Sequence, residues 1–197
     1  MAMAKREKEQ INMRSGFTYL NLILTNNKEI IKEYLEQYTY LVNYSNKWVC
    51  LLTEFDSRFD GMSVDSFTEK TKELSEKIPI LYFAKQDGEG FRFSILYHKQ
   101  IISSLNAGFN YTDYLPTDEF FSDINLDNFS LFGISQKKIY DLSILLTPEN
   151  FQNKESSVYE DFLKILDIGE LIFTSWDSII DNESIYSIVA KGEDEGV

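Results

Sequence analysis

The sequence predicts an α+β fold: a mixed or antiparallel sheet in the order β-α-β-α-β-β-β, helices on one face, and a helical, acidic C-terminal part. Three features of the chain lead there. Apolar residues make up 43% and aromatics 15% of its 197 residues, ample for a sizeable core. Residues 80–105 hold three apolar segments separated by two short polar turns, the pattern of a meander. Elsewhere apolar residues recur at helical spacing.

In chain order, residues 1–15 carry six charged side chains and are expected to be a disordered N-terminus. Phe17 to Leu24 alternates in part and is rich in aromatic and aliphatic residues, which predicts a strand. Asn26 and Asn27 break it. Ile30, Ile31, Tyr34, Leu35 and Tyr38 then form a helical stripe. Residues 47–53 read as the second strand and residues 56–61 as a loop. Ser63 is placed to cap a helix bearing Phe67, Thr71, Leu74 and Ile78, which Pro79 closes. Residues 80–84 are a continuous apolar run, the mark of a central strand. Asp87-Gly88-Glu89-Gly90 turns the chain into residues 91–97, and His98-Lys99-Gln100 turns it again into residues 101–105.

Residues 111–133 read as loop, with Pro116 and scattered carboxylates and aromatics. Ser135 is placed to cap a helix to residue 146, with Ile139, Leu142, Ile144, Leu145 and Leu146 as its apolar side. Pro148 separates it from a further helix, opened by the capping box of Ser157 and Glu160 and ended by Gly169. Residues 171–176 and 185–189 are apolar without a clear period. The chain is expected to be one domain over residues 16–190, sheet-rich over 16–110 and acidic and helical over 111–190. Residues 191–197 are expected to form a flexible tail.

The formal net charge is −13. Residues 1–112 hold 14 Lys/Arg and 14 Asp/Glu, whereas residues 113–197 hold five Lys, no Arg and 18 Asp/Glu. That half repels a phosphate backbone and attracts a cationic surface, so a nucleic-acid partner is not expected. No run of 18 apolar residues marks a membrane span, and the charged N-terminus is unlike a signal peptide, so a cytoplasmic location is expected.

The familiar chemistries lack their residues. One histidine, His98, and one cysteine, Cys50, offer no zinc set, and Cys50 lies in an apolar run suited to a buried thiol. No phosphate loop, dinucleotide fingerprint or nucleophile elbow is present. Glu54, Asp56 and Asp60 surround Arg58 without the spacing of a calcium loop. No catalytic residue, metal or cofactor is therefore assigned. The mixture of Asp118, Glu119, Asp123 and Asp127 with Phe120, Phe121 and Phe129 has the composition of an interaction surface.

A resemblance rests on Trp48-Val49-Cys50-Leu51-Leu52 followed by an acidic loop, Lys72-Glu73-Leu74-Ser75, Ile80-Leu81-Tyr82-Phe83 and Asp87-Gly88-Glu89. Ile95-Leu96-Tyr97 and Asn110-Tyr111 complete it. Over residues 48–115 this pattern resembles small acidic bacterial cytosolic proteins of the immunity type, which neutralise toxins of neighbouring cells. That group has a glycine in the second turn where this chain has Lys99-Gln100. The resemblance implies a protein-binding inhibitor, not an enzyme. The partner expected is a cationic protein such as a toxin domain, met by Asp118, Glu119, Phe120, Phe121, Asp123 and Asp127. The alternative is a homo-oligomeric structural or regulatory scaffold, followed by an enzyme with a carboxylate-only site.

Overall fold

Strand β1 (Phe17–Leu24) forms where the sequence places it. In the computed structural model, residues 17–35, 39–53, 63–86, 90–107, 123–168 and 187–192 are described. The helix after β1, α1 (Lys28–Lys32), is shorter than the stripe implies. The chain then forms strand β2 (Tyr40–Asn43), which the helical reading did not anticipate. It pairs with β3 (Trp48–Leu52) across a turn that Ser45 organises. The Ser45 hydroxyl accepts the N–H groups of Lys47 and Trp48 at 3.3 and 3.2 Å.

Ser63 caps only a one-turn 3₁₀ helix, Val64–Ser66. Thr68 is the true cap of α2 (Glu69–Ser75), accepting the Thr71 N–H at 3.2 Å. The meander follows as β4 (Ile80–Gln86), β5 (Gly90–Tyr97) and β6 (Gln100–Ala107). Its second turn uses His98 and Lys99 at φ 51° and 58°, left-handed values typical of Asn-Gly. The turn is tied down by α2: the His98 N–H donates to the Ser75 carbonyl at 2.8 Å and the Lys99 N–H to the Ser75 hydroxyl at 3.0 Å. Changing His98→Asn together with Lys99→Gly removes strain and keeps both backbone bonds. It loses the exposed Lys99–Glu76 ion pair and the contact of the His98 ring with Tyr97, whose centroids are 3.9 Å apart. A gain of about 1 kcal/mol is expected, read as a higher urea midpoint at unchanged slope. A lowered midpoint would show that the side chains, not the backbone, hold this turn.

Of the expected loop at 111–133, residues 111–122 lie outside the described residues, and the remainder is more ordered than a loop reading allows. Leu126–Phe132 is a 3₁₀ helix capped by Asn125 and ended by Gly133 at φ 64°. Ser135 caps α3 (Gln136–Leu145), as the sequence predicts. Pro148 is not a separator: it is the first residue of α4 (Pro148–Ile165), whose cap is Thr147. Proline is well suited to that position, because its missing N–H has no partner there in any helix. Ser157 and Glu160 therefore lie inside α4 and open nothing. A seventh strand, β7 (Ile188–Lys191), pairs with β2. Lys191, assigned to the tail, is thus part of the sheet. The expected loop at 56–61, residues 87–89 of the first turn, Gly169 and residues 171–176 lie outside the described residues, as do residues 1–15 and 193–197.

The fold is α+β. The seven strands run in the order β6-β5-β4-β1-β3-β2-β7, and every pairing between them is antiparallel. Register and alternation sort the side chains into two faces. One face carries Leu20, Leu22, Cys50, Leu81, Phe83, Phe93, Ile95 and Leu105. Phe162 of α4 stacks on both Phe83 and Phe93 there, with centroids at 5.8 and 5.4 Å. Phe129 meets Phe93 edge-on, and Phe132 tilts against Trp48, so the 3₁₀ helix and α4 cover this face together. On the opposite face, Phe67 meets Tyr82 edge-on at the head of α2. The main helical layer is on one face as expected, with this smaller cover on the other. Among the described residues no helix is long and apolar enough to cross a membrane.

Candidate interaction surface

The helical layer turns its outer side to solvent. Helices α3 and α4 form a hairpin through Leu146 and Thr147. Lys138 near the start of α3 meets Asp167, just past the end of α4, at 2.6 Å, which makes the two helices antiparallel. Asn150 fastens the corner: its amide donates to the carbonyls of Ile144 at 2.7 Å and Leu145 at 3.1 Å, the ends of α3 that have no partner within the helix.

Ile139 and Leu142 of α3, with Leu146 just past its end, point into the core, spaced three and four residues apart. Ile144, read from the sequence as part of that apolar side, does not join them. At 3.6 residues per turn it falls more than a third of a turn from the stripe, and it is 54% exposed. Tyr140, one turn earlier, is 65% exposed, and Leu131 on the 3₁₀ helix is 38% exposed. These are the exposed large apolar side chains among the described residues, and all come from residues 131–144. A shallow groove of about 390 Å³ lies beside Ile144 between α3 and α4. Ile144, Leu145 and Ile165 line it, and Asp141, Asn150, Asp161 and Lys164 complete it.

The residues singled out in the sequence fare differently. Asp123 and Asp127 are exposed at the approach to the 3₁₀ helix and in its first turn. The backbone carbonyl of Asp123 accepts the Ser104 N–H at 3.1 Å, which anchors this segment to the edge strand β6. Asp118, Glu119, Phe120 and Phe121 lie outside the described residues. Phe129, grouped with them by composition, is fully buried against Phe93 and Phe162 and belongs to the core. Tyr140 and Ile144 were missed as surface residues. The phase of Ile139, Leu142 and Leu146 was the signal that separates them.

The other candidates do not assemble. Cys50 is buried in β3, while His98 is exposed beyond β5, with β1 and β4 between the two strands. Glu54, Asp56 and Asp60 lie outside the described residues. Among those described, no three His, Cys, Asp or Glu side chains gather as metal ligands would. A second cleft, of about 420 Å³, is polar and lies by the β2–β3 turn, where Lys28 donates to Asn43 at 2.7 Å. Nearby, burial lowers the ammonium pKa of Lys47; Asp167 opposes the shift and Lys138 adds to it.

Comparison with family models, with curated proteins and with solved structures finds no match for this chain.

Proposed function

We propose that the chain is a protein-binding inhibitor of the immunity type, which caps a basic surface of a toxin with the outer side of its helical layer. One observation carries the proposal: the exposed large apolar side chains among the described residues, Leu131, Tyr140 and Ile144, all fall within residues 131–144, with Asp127 shortly before that stretch, Asp141 inside it, and Asp161 of α4 lining the same groove as Ile144. Large apolar side chains at the centre of an interface supply affinity, and charges at its rim speed encounter. The charge distribution supports the same reading, since residues 113–197 hold 18 Asp/Glu against five Lys. In this proposal Asp118, Glu119, Asp123 and Asp127 also meet the partner as rim charges, and Phe120 and Phe121 as apolar contacts. Inhibition is then occlusion: the inhibitor covers the cationic groups with which the toxin meets its target.

The test is kinetic. Association with the cationic partner is expected to slow at least about tenfold between 0.05 and 0.5 M salt. Reversing Asp118, Glu119 and Asp123 to lysine slows it by a similar factor at low salt. Tyr140→Ser with Ile144→Ser raises dissociation on the order of a hundredfold at an unchanged melting temperature, because both side chains are exposed. A salt-independent association, or a Tyr140/Ile144 variant that binds like the parent, would sink the proposal.

A further inference from the structure

We infer that the groove between α3 and α4 seats a single basic amphipathic helix of the partner, with an apolar side chain over Ile144, Leu145 and Ile165 and a lysine or arginine against Asp141. This inference rests on the protein-binding reading above and adds what the partner presents.

The form of the occupant follows from the walls. Both are helices, and Asn150 already satisfies the carbonyls of Ile144 and Leu145 at the corner. Among the described residues no strand lines the groove, so an extended segment finds no backbone ladder there. It would leave its own N–H and C=O groups unpaired against an apolar floor, which is costly. A helix satisfies its backbone internally and presents side chains only. Laid between two antiparallel helices, it packs as a third ridge into their groove. The part of α3 that lines the groove, Asp141 to Leu145, offers about 7 Å of wall, so one to two turns of the occupant make contact.

The charge of the occupant follows from the rim. On one wall, Asp161 already pairs with Lys164 at 3.2 Å. On the other, Asp141 makes no ion pair among the described residues, although it lies on the same turn as Ile144 and Leu145. A cation one helical turn from the apolar anchor meets it. A second copy of this chain is the poorer occupant, because each copy carries a net charge of −13 and the two repel at low salt.

The probe is a synthetic peptide of about 18 residues, leucine at i, i+3, i+4 and i+7 and lysine elsewhere, set against a scrambled peptide of identical composition. Each is added to the full, isotope-labelled chain and followed by amide shifts and circular dichroism. The periodic peptide is expected to gain helicity, to shift amides of residues 141–145 and 161–165, and to bind at least tenfold tighter than the scrambled one. Ile144→Glu removes that preference while leaving the melting temperature unchanged, and Asp141→Asn weakens binding about threefold to fivefold. Equal binding of both peptides, shifts scattered over the carboxylates, or an Ile144→Glu chain that binds as the parent overturns the inference. So does a concentration-dependent dimer whose interface shifts these same amides, which makes a second copy the occupant. If the cationic partner's association is lost on charge reversal yet survives Ile144→Glu, the helix seat is wrong and the binding function stands. If association shows no salt dependence while the periodic peptide fills the groove, the functional reading fails and the seat stands.

Discussion

Replacing Phe162 with alanine is expected to lower stability by about 3–5 kcal/mol, the largest effect of any single substitution considered for this chain. Phe162 is fully buried and stacks on two strands at once, with interplanar angles of 17° to Phe83 and 18° to Phe93. It also receives the edge of Phe129 at 6.1 Å, which joins the 3₁₀ helix to the same cluster. Truncation removes the transfer free energy of the ring and leaves a cavity bounded by strands that cannot close on it. β4 and β5 are fixed by their own ladder, Phe83 opposite Phe93. For a chain of this length the loss corresponds to a fall in melting temperature of roughly 10 °C. Phe162→Leu keeps much of the volume and should recover about half of the loss. A loss under about 1 kcal/mol would mean that the layer is held elsewhere. The consequence for binding is direct, because the groove wall formed by Asp161, Lys164 and Ile165 is on the same last turns of α4.

Trp48→Phe is expected to cost about 2–3 kcal/mol although it keeps an aromatic ring in place. The buried Trp48 indole N–H donates to the Leu166 carbonyl at 2.9 Å, one of the last carbonyls of α4 and one without a partner inside the helix. Phenylalanine removes the donor and leaves that carbonyl desolvated and unpaired, and the smaller ring loosens the contact with Phe132, whose centroid is 5.4 Å away. The loss should be localised. Amide exchange at the end of α4, including the Ile168 N–H that donates to Leu163 at 2.9 Å, should speed up before that of β4 and β1. Unchanged exchange at the end of α4 would show that Trp48 acts through its bulk alone.

Elements governed by near neighbours were legible. The alternation of Phe17–Leu24, the apolar run from Ile80 and the cap at Ser135 each depend on a few adjacent residues, and each appears where the sequence places it. The misreadings occur where two local signals compete. Ser157 with Glu160 is a sound capping box, but Thr147-Pro148 starts the helix three turns earlier, and a helix already running passes through the box. Ser63 and Thr68 both offer a hydroxyl, and only Thr68 precedes a segment able to remain helical. Of the candidate site, the exposure of Asp123 and Asp127 was legible in their charge. The inward turn of Phe129 was not, since composition counts an aromatic alike wherever it points, whereas the outward turn of Ile144 follows from a helical phase that a simple roll of apolar residues passes over.

By itself, the sequence determined the α+β class, most strand positions and the concentration of carboxylates after residue 112, because each is a property of short segments or of composition. The tertiary structure alone decided that β2 is a strand and that β7 pairs beside it. Those outcomes depend on partners far away in the chain. Asn43 of β2 hydrogen-bonds Ser187 across 144 residues, and Trp48 reaches Leu166 across 118. Four residues as short as Tyr40–Asn43 have no conformation of their own strong enough to persist. They become a strand only when β3 on one side and β7 on the other complete the ladder.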